Sequence, residues 1–212
     1  MKKIAFYLLL ALSFLYACDM EELPQAKVSK KPVFGSETGL KMYTNSFYEV
    51  FPNAATIYSN SYYIAQNQVI KYFTENGFNP EESSGWSWGT LRNINYFILN
   101  CTDEAVPLET RNNYIGIARF FRAYFYFDMM KRFGDLPWID HPLDVSDPLL
   151  YAGRDSRTEI VEKIKEDIDF AIQHIKANRD ASCSTITSTV AAALKSRVCL
   201  WEGTFRKYHT DA

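Results

Sequence analysis

Cysteine is scarce in this 212-residue chain. Cys18 stands apart at the end of a leader, which leaves Cys101, Cys183 and Cys199, an odd number with no Cys-x-x-Cys pair. That rules out a disulfide framework read from spacing, and each of the three is expected to behave as a small apolar residue. Histidine is scarcer still. His141, His174 and His209 are scattered without metal-ligand spacing, and Asp144 and Asp147 do not make a calcium-loop pattern. G-x-S-x-G, H-E-x-x-H and P-loop motifs are missing. Acidic residues are plentiful, but nothing singles out two of them as a catalytic pair. No catalytic residue, no metal and no cofactor is therefore expected. A positive excess is also lacking. The formal charge is −2, and loss of Lys2 and Lys3 would take it to −4. That argues against non-specific nucleic-acid binding, which needs a positive field.

Long apolar runs are absent except at the start. Ile4–Tyr16 is uncharged, with Ser13 as its one polar residue. As a helix it would be about 20 Å long, short of a bilayer core of about 30 Å. After Lys2 and Lys3 it reads as an export signal. The signal ends in Leu15-Tyr16-Ala17-Cys18, close to a bacterial lipobox, although Tyr16 is bulkier than usual there. Residues 1–17 are read as a lipoprotein signal peptide, with Cys18 as the lipidated first residue. The several acyl chains of such a cysteine supply the two or more needed for stable anchoring. Asp19, Glu21 and Glu22 follow, a cluster that resembles the surface-export signals of Bacteroidetes lipoproteins. Residues 18–35 are read as a tether and 36–212 as the folded body.

What the body has in quantity is aromatic residues, with Tyr 14 and Phe 15, and helical periodicity. Ser36–Phe51 holds Leu40, Tyr43, Phe47 and Phe51 at helical spacing. Trp88, Leu91, Asn95 and Ile98 point to a helix from about Ser87 to Asn100. A long helix is expected from about Glu109 to Phe133, with Gly134 at a positive-φ cap and Pro137 beyond. Its face-forming residues make two stripes: Ile117, Phe120, Tyr124 and Phe127, and nearly opposite them Arg119, Arg122, Tyr126, Met129 and Phe133. So many rings on two sides imply burial, with the two arginines paired to carboxylates or carbonyls. Asp140–Asp155 reads as a Pro- and Asp-rich connector. Ser156 and Glu159 have capping-box spacing. They open a helix with Val161, Ile164, Ile168, Ile172 and Ile175 on one face. The last helix is Ser188–Lys207, with a stripe of Val190, Leu194, Val198, Trp201 and Phe205; Ala191, Ala192 and Ala193 would let a neighbour approach closely. The fold class is mostly all-α, in a helical-repeat layout.

Three stretches together carry a family resemblance. They are "ARFFRAYFYFDMMKRFGDLPW", "DPLLYAGRDSRTEIVEKIKEDIDFAI" and "STVAAALKSRVCLWEGTFRKYH". With the lipoprotein start, their order resembles the SusD/RagB-like family of outer-membrane nutrient-binding lipoproteins. The resemblance implies tetratricopeptide-like helix pairs carrying a less regular lobe. Family members are well over twice this length, so residues 36–212 would be the N-terminal part of the domain. The last helix would then lack its next partner. The resemblance further implies an outward-facing, lipid-anchored outer-membrane protein. It would capture oligosaccharides and deliver them to a TonB-dependent transporter, without enzymatic activity.

A sugar site needs aromatic faces for ring C–H surfaces and amides or arginine for hydroxyls. Asn53–Trp86 has that composition. Tyr62, Tyr63, Trp86 and Arg92 are the candidate glycan-binding residues, whereas Trp88 shares the Leu91–Ile98 stripe and is expected to pack. The alternative is a tetratricopeptide-like adaptor that binds only protein partners in the envelope.

Overall fold

The computed structural model describes residues 30–53, 85–177, 181 and 183–209. The chain divides into Met1–Lys30 and Lys31–Ala212, and the helical body is the second unit. Cys18, Tyr62 and Tyr63 lie outside the described residues. The elements in order are α1 (Lys30–Phe34), α2 (Glu37–Asn45), a 3-10 turn (Ser46–Val50), α3 (Gly89–Asn100), α4 (Leu108–Phe133), a second 3-10 turn (Pro148–Tyr151), α5 (Arg157–His174) and α6 (Ser188–Tyr208). Among the described residues β-structure is confined to one antiparallel bridge between Leu136 and Asp155.

Local chemistry starts and stops these helices. Ser36 caps α2 by accepting from the Gly39 amide, and Thr187 caps α6 by accepting from the Val190 amide. Ser156 and Glu159 close a reciprocal capping box on α5. Gly134 ends α4 with φ +71°, its amide bonded to the Met130 carbonyl.

The 26-residue α4 is the axis of the unit. Phe120 and Phe127 of one expected stripe and Arg122, Tyr126 and Met129 of the other are buried, as are Phe121, Phe125 and Met130 between them, while Ile117, Arg119, Tyr124 and Phe133 are half-buried. On one side Phe121 meets Phe47, Tyr48 and Phe51, with ring centroids 5.0–6.0 Å apart. On the other side lies α5, running antiparallel: Gly116 near the start of α4 meets Ala171 and Ile175 at the end of α5. A Cβ at position 116 would sit 2.9 Å from Ile175 Cγ1, so this close crossing requires glycine. α6 runs antiparallel to α5 in turn, with Arg157 paired to Glu202 at 2.8 Å and Lys195 paired to Asp169.

A polar clasp crosses this core. Arg122 donates two hydrogen bonds to Asp167 at 2.6 and 2.7 Å. Its Nη1 also reaches Asn95 Oδ1 at 3.1 Å and the Asp140 carbonyl at 3.3 Å. One buried guanidinium thus joins α3, α4, α5 and the connector after α4. Arg119 lies 3.8 Å from the same carboxylate, so the expected pairing of both arginines holds.

Three expectations need correction. Val190 is 40% exposed, because the buried face of α6 is centred on Ala191, Leu194, Val198 and Glu202 instead. Ala192 and Ala193 are exposed, so close approach is confined to Ala191. Of the cysteines, Cys101 alone is buried. Cys199 lies on the outer face of α6 and Cys183 in the loop before that helix.

Candidate functional site

The first turns of α3 present Trp88, Leu91, Arg92 and Asn95 at positions i, i+3, i+4 and i+7, hence on one face. The connector from Leu136 to Asp155 folds across that face. Its two ends are tied by paired backbone hydrogen bonds between Leu136 and Asp155 at 3.3 and 2.9 Å. Its near strand is fixed from beneath. Asn95 donates to the Ile139 carbonyl at 2.8 Å. The buried Tyr126 hydroxyl accepts from the Ile139 amide at 2.7 Å and donates to the Pro137 carbonyl at 3.1 Å. Burial raises that phenol's pKa beyond any physiological range, so Tyr126 stays neutral and free to donate.

Between the strap and α3 lies a cavity of about 580 Å³, within the range of small-ligand pockets. Trp88, Leu91, Ile139, Leu143, Val145 and Leu150 give it apolar walls; Arg92, His141 and Asp144 are its polar groups. The Arg92 guanidinium donates to the Leu143 carbonyl and so bridges the helix to the strap. His141 is held by two carboxylates, with Nδ1 2.8 Å from Asp140 and Nε2 2.8 Å from Asp147. Carboxylates only accept, so both contacts are satisfied together only by the doubly protonated ring. The bonds to Asp140 and then Asp147 accordingly raise the imidazole pKa above its ordinary value. Asp144 is held below the usual carboxylate range, first by the Ser146 hydroxyl at 2.6 Å and then by the Ser146 amide at 2.8 Å. The pocket therefore combines a ring-sized apolar surface with the Arg92 guanidinium, an imidazole held between two carboxylates, and the Asp144 carboxylate. That set suits a neutral polyhydroxyl ligand with an apolar face.

Of the residues singled out in the sequence, Arg92 lines the cavity. Trp88 does too, while packing on Phe125 and Tyr126 at 5.8 and 6.1 Å, so its packing role holds but is not its whole role. Trp86 does not line the cavity. It is 41% exposed beside it, with its ring 5.1 Å from Trp88 and 5.0 Å from Phe133. The sequence reads His141, Leu143, Asp144 and Leu150 only as connector, and so misses the strap. The available signal is a histidine flanked by Asp140, Asp144 and Asp147 in a stretch of apolar residues.

A second groove of about 530 Å³ lies between α2, α4 and the loop after α5. Its aromatic hydroxyls are already engaged: Tyr114 donates to Glu37 at 3.3 Å, and Tyr48 accepts from the Ile186 amide at 3.1 Å. Among the described residues no three His, Cys, Asp or Glu side chains gather as a metal site, and no helix is long and apolar enough to cross a membrane.

A solved structure shares this arrangement of helices. Of two similar solved structures, one is a SusD-like protein from Bacteroides fragilis NCTC 9343. It is 21% identical with a TM-score of 0.61, over 87% of this chain and 39% of that one. The other is surface glycan-binding protein A from Bacteroides fluxus, 24% identical with a TM-score of 0.46, over 56% and 25%. The first likeness shows a shared fold, and the chain spans about two fifths of that structure's length. No curated protein matches the sequence. Residues 35–188 match the model of the SusD-like family described as starch-binding and associating with the outer membrane, and with the helical fold above, this chain belongs to that family.

Proposed function

We propose that the protein captures oligosaccharides in the cavity between α3 and the connector and delivers them to a TonB-dependent outer-membrane transporter. Capture is by equilibrium binding, without bond chemistry. The observation that carries this reading is the cavity, with its ring-sized apolar walls beside the Arg92 guanidinium, in a family described as starch-binding. A pyranose would lay its C–H face on the apolar wall formed by Trp88 and Leu150 and give its hydroxyls to Arg92 and Asp144. Trp86 would extend the aromatic surface to a neighbouring sugar, and Tyr62 and Tyr63 remain candidates for the same role. Anchoring through lipidated Cys18 would place the domain on the outer face of the outer membrane. The lipobox and the acidic Asp19, Glu21 and Glu22 support that reading.

The test is a thermal-denaturation screen of the purified protein with maltoheptaose, xylohexaose, mannohexaose and oligogalacturonate. A ligand at 100 times its dissociation constant adds about 2.7 kcal/mol of stability, a rise of several degrees. A dose-dependent shift with at least one of these supports capture. No shift with any, alongside retention by an immobilised envelope protein, would favour the adaptor reading. Release of reducing ends would contradict the non-catalytic assignment.

A further inference from the structure

Beside the cavity, the exposed Trp86 has one guanidinium over its ring and a second against the residue before it. Arg154 is over its ring, 4.7 Å from the centroid. Arg132 packs against the preceding residue: a Cβ on Gly85 would be 2.6 Å from Arg132 Nη1. Gly85 also has φ +97°, so the chain turns there in a conformation that leaves room for the arginine. Phe133 connects the two sides, with its ring 5.0 Å from Trp86 and 5.2 Å from the Arg132 guanidinium. Both arginines are exposed, and neither has a carboxylate partner among the described residues. Elsewhere in the unit Arg122, Arg157 and Arg206 carry carboxylates, and Arg92 and Arg111 are engaged by backbone carbonyls. Among the described residues, Asp128 is engaged with Lys131, Asp135 with the Arg157 amide and Asp155 with the Trp138 amide.

We infer that Trp86, Arg132 and Arg154 form a subsite for an anion-bearing sugar, a ring carrying a carboxylate or a sulfate ester. The inference rests on the capture reading and assigns it a substrate class. The indole provides the stacking surface, and two planar donor forks with no carboxylate partner among the described residues suit a planar carboxylate or a sulfate. The cation–π contact holds Arg154 over the ring before ligand arrives, which lowers the ordering cost of binding.

The experiment is calorimetric titration of the protein with oligogalacturonate, with the same oligomer after reduction of its carboxyl groups, and with a sulfated galactan beside its desulfated form. The expected result is roughly tenfold tighter binding of the acidic member of at least one pair, shrinking at high salt. Which pair shows it separates carboxylate from sulfate. Arg132→Gln with Arg154→Gln should abolish the preference and leave the neutral member's affinity within twofold. Arg154→Gln alone, which leaves the Gly85 contact intact, should remove about half of the preference on a logarithmic scale. Equal affinity for acidic and neutral forms, or a preference that survives in the double variant, overturns the inference while capture stands. No binding of any saccharide overturns capture and this inference with it.

Discussion

Replacing Asp167 by asparagine should cost far more than any surface change. The Arg122 and Asp167 side chains are 6% and 3% exposed, and two short hydrogen bonds join them. Asparagine keeps the shape but removes the charge, leaving Arg122 buried with no anion and Arg119 facing the same site at 3.8 Å. Removing one partner of a buried pair costs about 3–5 kcal/mol. With a urea m-value of about 2 kcal/mol/M, the midpoint should fall by roughly 1.5–2.5 M. The pair Arg122→Met with Asp167→Leu should cost less than Asp167→Asn, because no charge is stranded. It still deprives the buried Asn95 Oδ1 of a donor, at about 1–3 kcal/mol, whereas the partly exposed Asp140 carbonyl can turn to water. Urea titration followed by helical circular dichroism reads all three proteins. A loss below about 1 kcal/mol for Asp167→Asn, or a double variant worse than the single one, would refute the view of this clasp as a desolvated charge pair.

Three further outcomes are set by the geometry. The His141 pKa is raised in the fold by Asp140 and Asp147, so its contribution is full below about pH 6.5 and lost as pH rises through the raised value. An NMR titration should find the His141 ring titrating above the free imidazole; a value at or below about 6.5 would contradict the double bridge. Gly116→Ala should destabilise the protein by about 1–3 kcal/mol through the Ile175 contact, and an unchanged thermal midpoint would mean that α4 and α5 separate without cost. Cys101 should react with a thiol reagent far more slowly than Cys183 and Cys199, since it is buried and burial pushes its thiol to about 11. Equal rates for all three would place Cys101 at the surface.

How much of this was legible in the sequence depended on range. Capping is local, so Ser156, Glu159 and Gly134 marked helix ends to within about two residues. α4 was legible as buried because aromatic rings stand on both of its stripes and occupy most of its circumference. The partner of Arg122 was not, because Asp167 is 45 residues away and its neighbours Glu166 and Asp169 belong to a solvated face. The α6 stripe drifted at Val190, where the helix presents small Ala191 to its neighbour and turns the larger side chain outward. The cavity wall was hidden for the same reason of range: Arg92 and Leu143 are 51 residues apart, Asn95 and Ile139 44. Arg92 was chosen for its chemistry alone, and the strap opposite it came only with the fold.

The central claim is that the cavity between α3 and the strap holds a sugar. The most direct measurement is calorimetric titration of whichever screened oligosaccharide stabilises the protein, against the unaltered chain and against Arg92→Ala and Leu150→Ser, two exposed cavity residues. Lys41→Ala in the second groove is the control. The predicted result is saturable binding that weakens roughly tenfold or more in each cavity variant, the order of one well-placed contact, and is unchanged in the control. Binding that is indifferent to Arg92 and Leu150, or lost in Lys41→Ala instead, would contradict it.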